Sequence, residues 1–294
     1  MAGIKKEIAI VFGATGNMTF ALGNVLIGLK KHSPDLKADI TVYEQGITNK
    51  DKNILNSILP CDFRGYKFLH QGYLTEETLK KFSELTFARY ECFDLLNEYK
   101  KVLWLDIDIL IKRDIQGIFD EQGERGISLA LGDNTATDFT IEIDGLKAGD
   151  KKYNAGIMYL QDNLTGYEVL KEWCYKKTIE MAKYLKCADQ GIINLMVKEF
   201  NLNVYEMSIL YNFNPAYKGD TRKNQAKILH TFCPEKFWNY WINKEWDKNY
   251  KKWLKLGGSR YQGQLWKRHF RDIPSFTRQP RKFIKYLIGM TNEE

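Results

Sequence analysis

The stretch Leu103-Trp104-Leu105-Asp106-Ile107-Asp108-Ile109-Leu110 is the part of this 294-residue chain that most clearly indicates its fold. An apolar run ends in two aspartates that are one residue apart, and apolar residues then resume. Because side chains i and i+2 of an extended chain share a face, Asp106 and Asp108 are predicted to point together at the carboxyl end of a buried strand. Ligands bind at that edge in open α/β sheets, although the two acids could instead simply end the strand and cap a turn.

The two carboxylates also need a partner. Neighbouring carboxylates repel each other and are costly to remove from water, so the pair favours a bound cation. Oxygen ligands suit Mg²⁺ or Mn²⁺, and an ion of this kind bridges to a diphosphate. We therefore interpret Asp106 and Asp108 as metal ligands.

The sequence on both sides of this stretch alternates short apolar runs with amphipathic segments, which is the pattern of an α/β fold. Predicted strands cover residues 7–12, 40–43, 101–106, 127–131 and 156–160. Predicted helices cover residues 17–31, 49–59, 87–99, 165–185 and 190–200. The acid-rich residues 132–150 predict a solvated loop, and the aromatic and polar composition from Tyr211 onward also predicts loops.

Composition excludes several classes of protein. Apolar residues make up 44% of the chain and charged residues 28%, which excludes a disordered chain, and no apolar run approaches the roughly 18 residues of a membrane span. The five cysteines are scattered and never form a C-x-x-C pair, so neither structural zinc nor a disulfide framework is expected. Together with the lack of a signal-peptide pattern, this cysteine usage predicts a reducing, cytoplasmic location.

The positive charge is concentrated near the carboxyl end. Residues 251–294 hold 11 basic against three acidic residues, a net +8, whereas the remainder holds 33 against 34, a net −1, so the positive charge belongs to this end. Basic and aromatic side chains together favour an anionic membrane surface, and no nucleic-acid recognition motif is present. We predict one domain over residues 1–256 and a membrane-associating segment over residues 257–294, peripheral on the cytoplasmic face. The alternative is a solvated carboxyl end.

A glycine-bearing segment, Val11-Phe12-Gly13-Ala14-Thr15-Gly16, lies between the first predicted strand and helix. A Rossmann protein binds pyrophosphate at this position, and Glu44 ends the second strand as an NAD-binding acid would. The third glycine of the fingerprint is, however, Thr19 here, and a side chain at that place obstructs helix–strand packing. Three interpretations stay open: a dinucleotide site, a turn without a ligand, and a loop that lines a nucleotide pocket.

Further motifs follow in one collinear order from about Ile8 to about Trp241, and with them the chain resembles glycosyltransferase family 8. These retaining enzymes include glycogenin and bacterial lipooligosaccharide galactosyltransferases. The matching motifs are the Asp-x-Asp pair, Phe87-Ala88-Arg89, Asn154-Ala155-Gly156, Asp189-Gln190, and His230 followed six residues later by Lys236 and then by Trp238.

The resemblance implies a fold and a set of site residues. The fold is glycosyltransferase-A-like and Rossmann-like, a mixed, mostly parallel sheet flanked by helices, here with a basic carboxyl-terminal appendage. The metal ligands are Asp106, Asp108 and His230, and an imidazole among carboxylates shifts preference from Mg²⁺ toward Mn²⁺. Asp189 and Gln190 are the implied catalytic residues on the sugar side. The implied donor contacts are Ala14, Thr15, Asn17, Arg89, Asp106, Asn154, Ala155, Asp189, Gln190 and Lys236.

The chain departs from the family pattern at two places. Thr15 and Met18 stand where the family has an Asp and a Tyr that hold the nucleotide base. Cys233 and Phe237 replace a Gly and a Pro in the segment after His230. Recognition of the base, and the backbone approach to the diphosphate, are therefore expected to differ from the family pattern.

We expect a retaining, metal-dependent enzyme that moves a hexose, galactose or glucose, from a UDP-sugar to a saccharide or glycolipid acceptor in a surface glycan such as lipooligosaccharide. Two alternatives remain at this point. One is an NAD(P)-dependent reductase that uses the Gly13–Gly16 segment, and the other is a non-catalytic sugar-nucleotide-binding protein.

Overall fold

The computed structural model describes residues 4–120, 125–135, 137–217, 219–232 and 234–270. Within these residues the strands are β1 (Lys6–Thr15), β2 (Asp39–Gln45), β3 (Cys61–Gly65), β4 (Tyr99–Leu105), β5 (Ile109–Ile111), β6 (Ile127–Leu131), β7 (Tyr153–Gln161), β8 (Tyr205–Met207) and β9 (Ile228–His230). The α-helices there are α1 (Thr19–His32), α2 (Asn49–Ile58), α3 (Glu76–Lys81), α4 (Glu91–Leu95), α5 (Gly117–Asp120), α6 (Tyr167–Met181), α7 (Ala188–Glu199) and α8 (Lys244–Lys255).

Seven of the strands form one sheet in the order β3-β2-β1-β4-β7-β6-β8. Only β7 runs antiparallel to its neighbours β4 and β6, and the other adjacent strands in this sheet are parallel. A separate two-stranded sheet pairs β5 with β9 in antiparallel fashion. The predicted mixed, mostly parallel α/β sheet is thereby confirmed.

The core lies on both faces of the large sheet, because alternate residues of each central strand point to opposite sides. Ile10 and Phe12 of β1 face one buried cluster with α1 and α8, whereas Ala9 and Val11 face the other with α6 and α7. Strands covered on both faces read as continuous apolar runs, which explains why β1, β4 and β7 were visible in the sequence.

The five predicted strands and most predicted helices agree with the structure within a few residues, but the predicted helix at residues 87–99 is wrong in form. Glu84–Tyr90 is a 3-10 helix, Glu91–Leu95 a short α-helix, and β4 begins at Tyr99. Phe87, Ala88, Arg89 and Tyr90 are all buried. The segment therefore lacks the solvent-facing side that an amphipathic helix requires.

The loop prediction after Tyr211 is also wrong, since it missed β9 and α8. The Asn243 side chain accepts hydrogen bonds from the backbone N–H groups of Glu245 and Trp246, which caps α8. Trp246, Tyr250 and Trp253 then recur at helical spacing and are buried. Aromatic residues at this spacing therefore mark the buried face of a helix here, and not a loop.

The glycine-bearing segment is not a turn throughout, because β1 continues to Thr15. A Cβ on Gly13 would lie 2.9 Å from Cη2 of Trp104, and one on Gly16 would lie 2.1 Å from the carbonyl oxygen of Gly46. Both glycines thus allow close packing between neighbouring segments. This observation supports neither a pyrophosphate cradle nor the reductase alternative.

Described residues beyond the predicted boundary at 256 pack on the domain. Ser259 Oγ donates to Asp51 Oδ2 at 2.5 Å, and Arg268 Nη1 donates to the carbonyl of Phe237 at 2.7 Å. Residues 271–294, the rest of the predicted membrane-associating segment, lie outside the described residues. None of the helices in the described part of the chain combines the length and the apolar character needed to cross a bilayer.

Candidate functional site

A cavity of about 410 Å³ opens at the carboxyl end of β4. Its walls come from the end of β4, the 3-10 helix before α4, the start of α7 and the segment after β9. The lining residues are Phe82, Thr86, Arg89, Asp106, Asp108, Asp133, Asp138, Asn154, Gly156, Cys187, Asp189, Gln190, His230, Phe232, Pro234 and Lys236. Most of the residues predicted from the sequence motifs therefore lie around one cleft.

A second, larger cavity of about 790 Å³ lies at the opposite edge of the sheet, near the amino ends of β1, β2 and β4. Its charged groups pair with one another, for example Lys6 with Asp39 and Arg64 with Glu98. No group of potential metal ligands gathers there among the described residues. The group of potential metal ligands in the described residues accordingly lies in the smaller cavity.

Asp106, Asp108 and His230 form a three-residue cluster whose potential ligand atoms lie within 4.8 Å of one another. His230 Nε2 is 3.1 Å from Asp108 Oδ1 and 3.7 Å from Asp106 Oδ2. The pairing of β5 with β9 places His230 opposite Ile109, next to Asp108. Two carboxylates and one imidazole are a donor set that fits Mn²⁺ or Mg²⁺, and their predicted convergence is confirmed.

Hydrogen bonds hold the His230 ring in one orientation. The Gly156 backbone N–H can only donate, and it donates to Asn154 Oδ1 at 3.1 Å. That oxygen also accepts from Asn212 Nδ2 at 3.0 Å, so Asn212 Oδ1 faces His230 Nδ1 at 2.6 Å and accepts its proton. With Nδ1 bound to Asn212, Nε2 faces the carboxylates, as a metal-ligating histidine requires.

Gly156 makes this arrangement possible through its lack of a side chain. A Cβ at this position would lie 2.1 Å from His230 Cε1 and 2.8 Å from Asp106 Oδ2. The backbone carbonyl of Gly156 also accepts a hydrogen bond from the Asp106 N–H at 2.8 Å. The glycine of the Asn-Ala-Gly motif therefore lets β7 closely approach the cluster of Asp106, Asp108 and His230.

Two cationic side chains balance the negative charge of the cluster. Arg89 is buried, donates to Asp106 Oδ1 at 2.6 Å and lies over the Trp104 ring. Lys236 Nζ donates to Asp108 Oδ2 at 2.6 Å. Burial by itself raises the pKa of Asp108, but the charges of Lys236 and His230 outweigh it and hold that pKa well below its usual range.

The other side of the cleft is built on the first turn of α7. The two carboxylate oxygens of Asp189 accept hydrogen bonds from Thr86 and Arg89. Gln190 Oε1 accepts from Asn154 Nδ2 at 3.0 Å, and Gln190 Nε2 donates to Asp138 Oδ1 at 3.0 Å. The predicted pair Asp189 and Gln190 therefore lies in the same cleft as the three potential metal ligands.

Four predicted donor-binding residues are not among the residues that line the cavity. Ala14 and Ala155 are buried, and Thr15 Oγ1 donates to Asn17 Oδ1 at 2.5 Å near the carboxyl end of β1. Their contacts with a donor stay predictions. Cys233 lies outside the described residues, and Phe237 is buried and stacks on Trp246.

Sequence reasoning missed two residues that the structure places in this network, Asn212 and Asp138. Asp138 was assigned to a solvated loop, and this is wrong, because its exposed fraction is only 4%. Burial raises its pKa, against the effect of a hydrogen bond from Gln190. No sequence motif marks either residue, although Asn212 stands among aromatic residues that pack in the core.

Comparison with known proteins agrees with this arrangement. The model of the Glycosyl transferase family 8 matches residues 9–242. Glycosyltransferase GlyE of Streptococcus pneumoniae is 25% identical over 173 residues, which are 55% of this chain and 39% of that protein. Human glycogenin-2 is 24% identical over 188 residues, which are 60% of this chain and 32% of glycogenin-2. The chain thus spans well under half the length of these curated relatives.

A solved structure shows the same fold. The galactosyltransferase LgtC, in complex with donor and acceptor sugar analogues, superposes with a TM-score of 0.66 at 16% identity, over 84% of this chain and 99% of LgtC. The matched residues include β4, the Asp-x-Asp pair, the Asn-Ala-Gly motif, the Asp-Gln pair and His230. This chain belongs to glycosyl transferase family 8.

Proposed function

We propose that this protein transfers a hexose from a UDP-sugar to a saccharide hydroxyl with retention of the anomeric configuration, and that it needs Mn²⁺ or Mg²⁺. The observation that carries the proposal is the convergence of Asp106, Asp108 and His230 in the same cleft as Gln190 and Asp189. A dehydrogenase does not need such a cluster, and the family match leaves the reductase alternative without support.

The metal side of the cleft is suited to a departing diphosphate. A divalent ion held by Asp106, Asp108 and His230 would supply Lewis-acid charge that stabilises the leaving group. Lys236, whose side chain is partly exposed, donates to Asp108, so it can add positive charge beside a phosphate. Arg89 orients Asp106 through its hydrogen bond and is itself held over Trp104.

On the sugar side, the Asp189 carboxylate is already engaged and is not a free nucleophile. Both oxygens of Asp189 already accept hydrogen bonds, one of them from the guanidinium of Arg89, which withdraws negative charge from them. Gln190 presents an amide, whose oxygen carries partial negative charge that can stabilise a sugar becoming positively charged. Attack of the acceptor on the face that the diphosphate leaves agrees with this arrangement.

Galactose or glucose is the proposed sugar, and the galactosyltransferase fold of LgtC is compatible with it. We place the nucleotide base near the carboxyl end of β1, where Thr15 and Asn17 offer polar atoms. The proposed acceptor is a saccharide or glycolipid of a surface glycan. Association of residues 257–294 with an anionic membrane, on the cytoplasmic face, is likewise a proposal and rests on their positive charge.

The test is a donor screen that measures UDP release with Mn²⁺, with UDP-galactose and UDP-glucose as first donors and a panel of disaccharide acceptors. We expect release that depends on the metal and is abolished by a chelator. Metal-independent release, or binding of NADPH without binding of UDP and Mn²⁺, would refute the proposal. UDP binding without any turnover would favour the non-catalytic sugar-nucleotide-binding alternative.

A further inference from the structure

Asp138 belongs to the connection between β6 and β7, and this connection is fastened to the segment that leads into α7. The Asp138 carbonyl accepts hydrogen bonds from the backbone N–H groups of Lys186 at 2.9 Å and Cys187 at 3.2 Å. Phe139 forms an antiparallel bridge with Leu185. These contacts place the Asp138 side chain directly over the first turn of α7, where Gln190 lies.

The close approach depends on a glycine in α7. A Cβ on Gly191 would lie 3.0 Å from Phe139 Cζ and 3.2 Å from Asp138 Cβ. Either distance is tighter than ordinary van der Waals contact, so the connection would have to move outward by a few tenths of an ångström. Gly191 therefore allows Asp138 to reach the Gln190 amide.

The Asp138 carboxylate accepts two hydrogen bonds from amides. Oδ1 accepts from Gln190 Nε2 at 3.0 Å, and Oδ2 accepts from Asn194 Nδ2 at 3.1 Å. An ionised carboxylate can only accept, so the amide group that faces it must present its nitrogen. The carboxylate thereby selects one of the two orientations of the Gln190 amide.

The opposite end of the network selects the same orientation. The Gly156 N–H fixes Asn154 Oδ1 as an acceptor, so Asn154 Nδ2 must donate, and it donates to Gln190 Oε1. One chain of hydrogen bonds thus runs from Asp138 through Gln190, Asn154 and Asn212 to His230. The Gln190 oxygen points toward Asn154, and from Asn154 the hydrogen bonds continue to the potential metal ligand His230.

From this geometry we propose that Asp138 is a positioning residue that holds the Gln190 amide with its oxygen toward Asn154 and its nitrogen away. The inference rests on the proposed sugar transfer. In the opposite orientation the amide nitrogen, with its partial positive charge, would point toward Asn154. It would then oppose the positive charge that develops on the sugar as the diphosphate leaves, so turnover would fall while the metal and phosphate contacts stayed in place.

Asp138→Asn is the decisive variant. It keeps the shape of the side chain but puts one N–H₂ group against the amide nitrogen of Gln190 or of Asn194. We expect kcat for UDP release to fall about 10–100-fold, by analogy with the loss of a group that orients a metal ligand. KM for the UDP-sugar and the affinity for Mn²⁺ should stay within about twofold, because the residues that would hold the metal and the phosphates, Asp106, Asp108, His230 and Lys236, are unchanged.

Asp144→Asn is the matched control, because it removes an exposed carboxylate from the same connection. It should leave kcat unchanged, and the thermal midpoints of both variants should be compared with that of the parent. If Asp138→Asn fails to fold, Gly191→Ala decides the question, since it displaces Asp138 without altering a charge. A lower kcat with an unchanged KM supports the positioning role.

Two outcomes overturn the inference: an unchanged kcat in a folded Asp138→Asn protein, or a loss confined to KM or to Mn²⁺ affinity. Failure of the proposed function is distinguishable, because it appears in the parent protein as a lack of UDP release with every donor. The parent measurement therefore comes first, and the variants are read only against an active parent.

Discussion

The two sides of the cleft are built from different chemistry. The metal side gathers charges, with Asp106, Asp108 and His230 close to the ammonium of Lys236. The sugar side combines the ion pair of Asp189 and Arg89 with a chain of neutral amides that ends at a second buried carboxylate, Asp138. Charges can be recognised in a sequence because they need partners, whereas an amide chain depends on orientations that only the folded molecule defines.

The largest effect should come from the metal side. Asp108→Ala removes one of the two carboxylates that would share the cation and takes from Lys236 its carboxylate partner. We expect Mn²⁺-dependent UDP release to drop by at least about 10³-fold, beyond the roughly 10²–10³ seen for loss of one electrostatic contact.

The measurement for Asp108→Ala is UDP release over a range of Mn²⁺ concentrations, with Mn²⁺ binding followed by calorimetry. Asp35→Ala, at an exposed aspartate far from the motif in sequence, serves as the control and should behave as the parent. Turnover retained in a folded Asp108→Ala protein would remove this residue from the metal site.

An intermediate effect should come from Asn212, which connects the two sides. Asn212→Ala removes the oxygen that accepts the His230 Nδ1 proton, so the ring and its tautomer are no longer fixed. We expect Mn²⁺ affinity to fall about 10–100-fold. Calorimetry with Mn²⁺ in the presence of UDP checks this, and Asn203→Ala, at an exposed position, is the control. Unchanged affinity would show that Asn212 only packs.

A smaller effect concerns stability and pH on the sugar side. Burial raises the pKa of Asp138 in the folded protein, so folding favours its protonated form. The unfolding free energy contributed by this carboxyl is therefore largest below its unfolded pKa of about 4 and declines as pH rises through the folded value. Asp138→Asn, which is neutral at every pH, should lack this decline.

Thermal unfolding of the parent and of Asp138→Asn at several pH values between about 4 and 7 tests the sign. The midpoint of the parent should fall relative to that of the variant as pH rises. A parent that gains stability over the variant with rising pH would mean that hydrogen bonds from Gln190 and Asn194 outweigh burial. Asp144→Asn, which replaces an exposed carboxylate, is the control for this measurement.

The smallest effect on turnover is expected outside the cleft. Truncation after Phe270 keeps the contacts of Ser259 and Arg268 with the domain and removes five of the basic residues near the carboxyl end. Transfer to soluble acceptors should be unchanged, while binding to anionic vesicles should weaken by about 1 kcal/mol per basic residue lost. Cosedimentation with phosphatidylserine vesicles measures this, and equal binding by both proteins would remove the membrane proposal.

The fold was largely predictable, because strands covered on both faces show continuous apolar runs in the sequence. In the misassigned helix at residues 87–99, residues 87–90 belong to a 3-10 helix and only Glu91–Leu95 are α-helical, a division that the sequence did not indicate. The sequence did not predict helix α8, because the buried face of this helix consists largely of aromatic residues that the sequence alone did not connect to a core.

The sequence by itself determined the α/β class, the position of the Asp-x-Asp pair at a strand end, and the residue types that a divalent cation needs. Tertiary structure alone decided that His230 meets this pair across β5 and β9, that Asn212 sets its ring, and that Asp138 lies buried against α7. The physical reason is that charge and hydrophobicity are properties of residues. Hydrogen-bond direction and desolvation are properties of neighbours in space, and the chain brings those neighbours from 18 to 122 positions away.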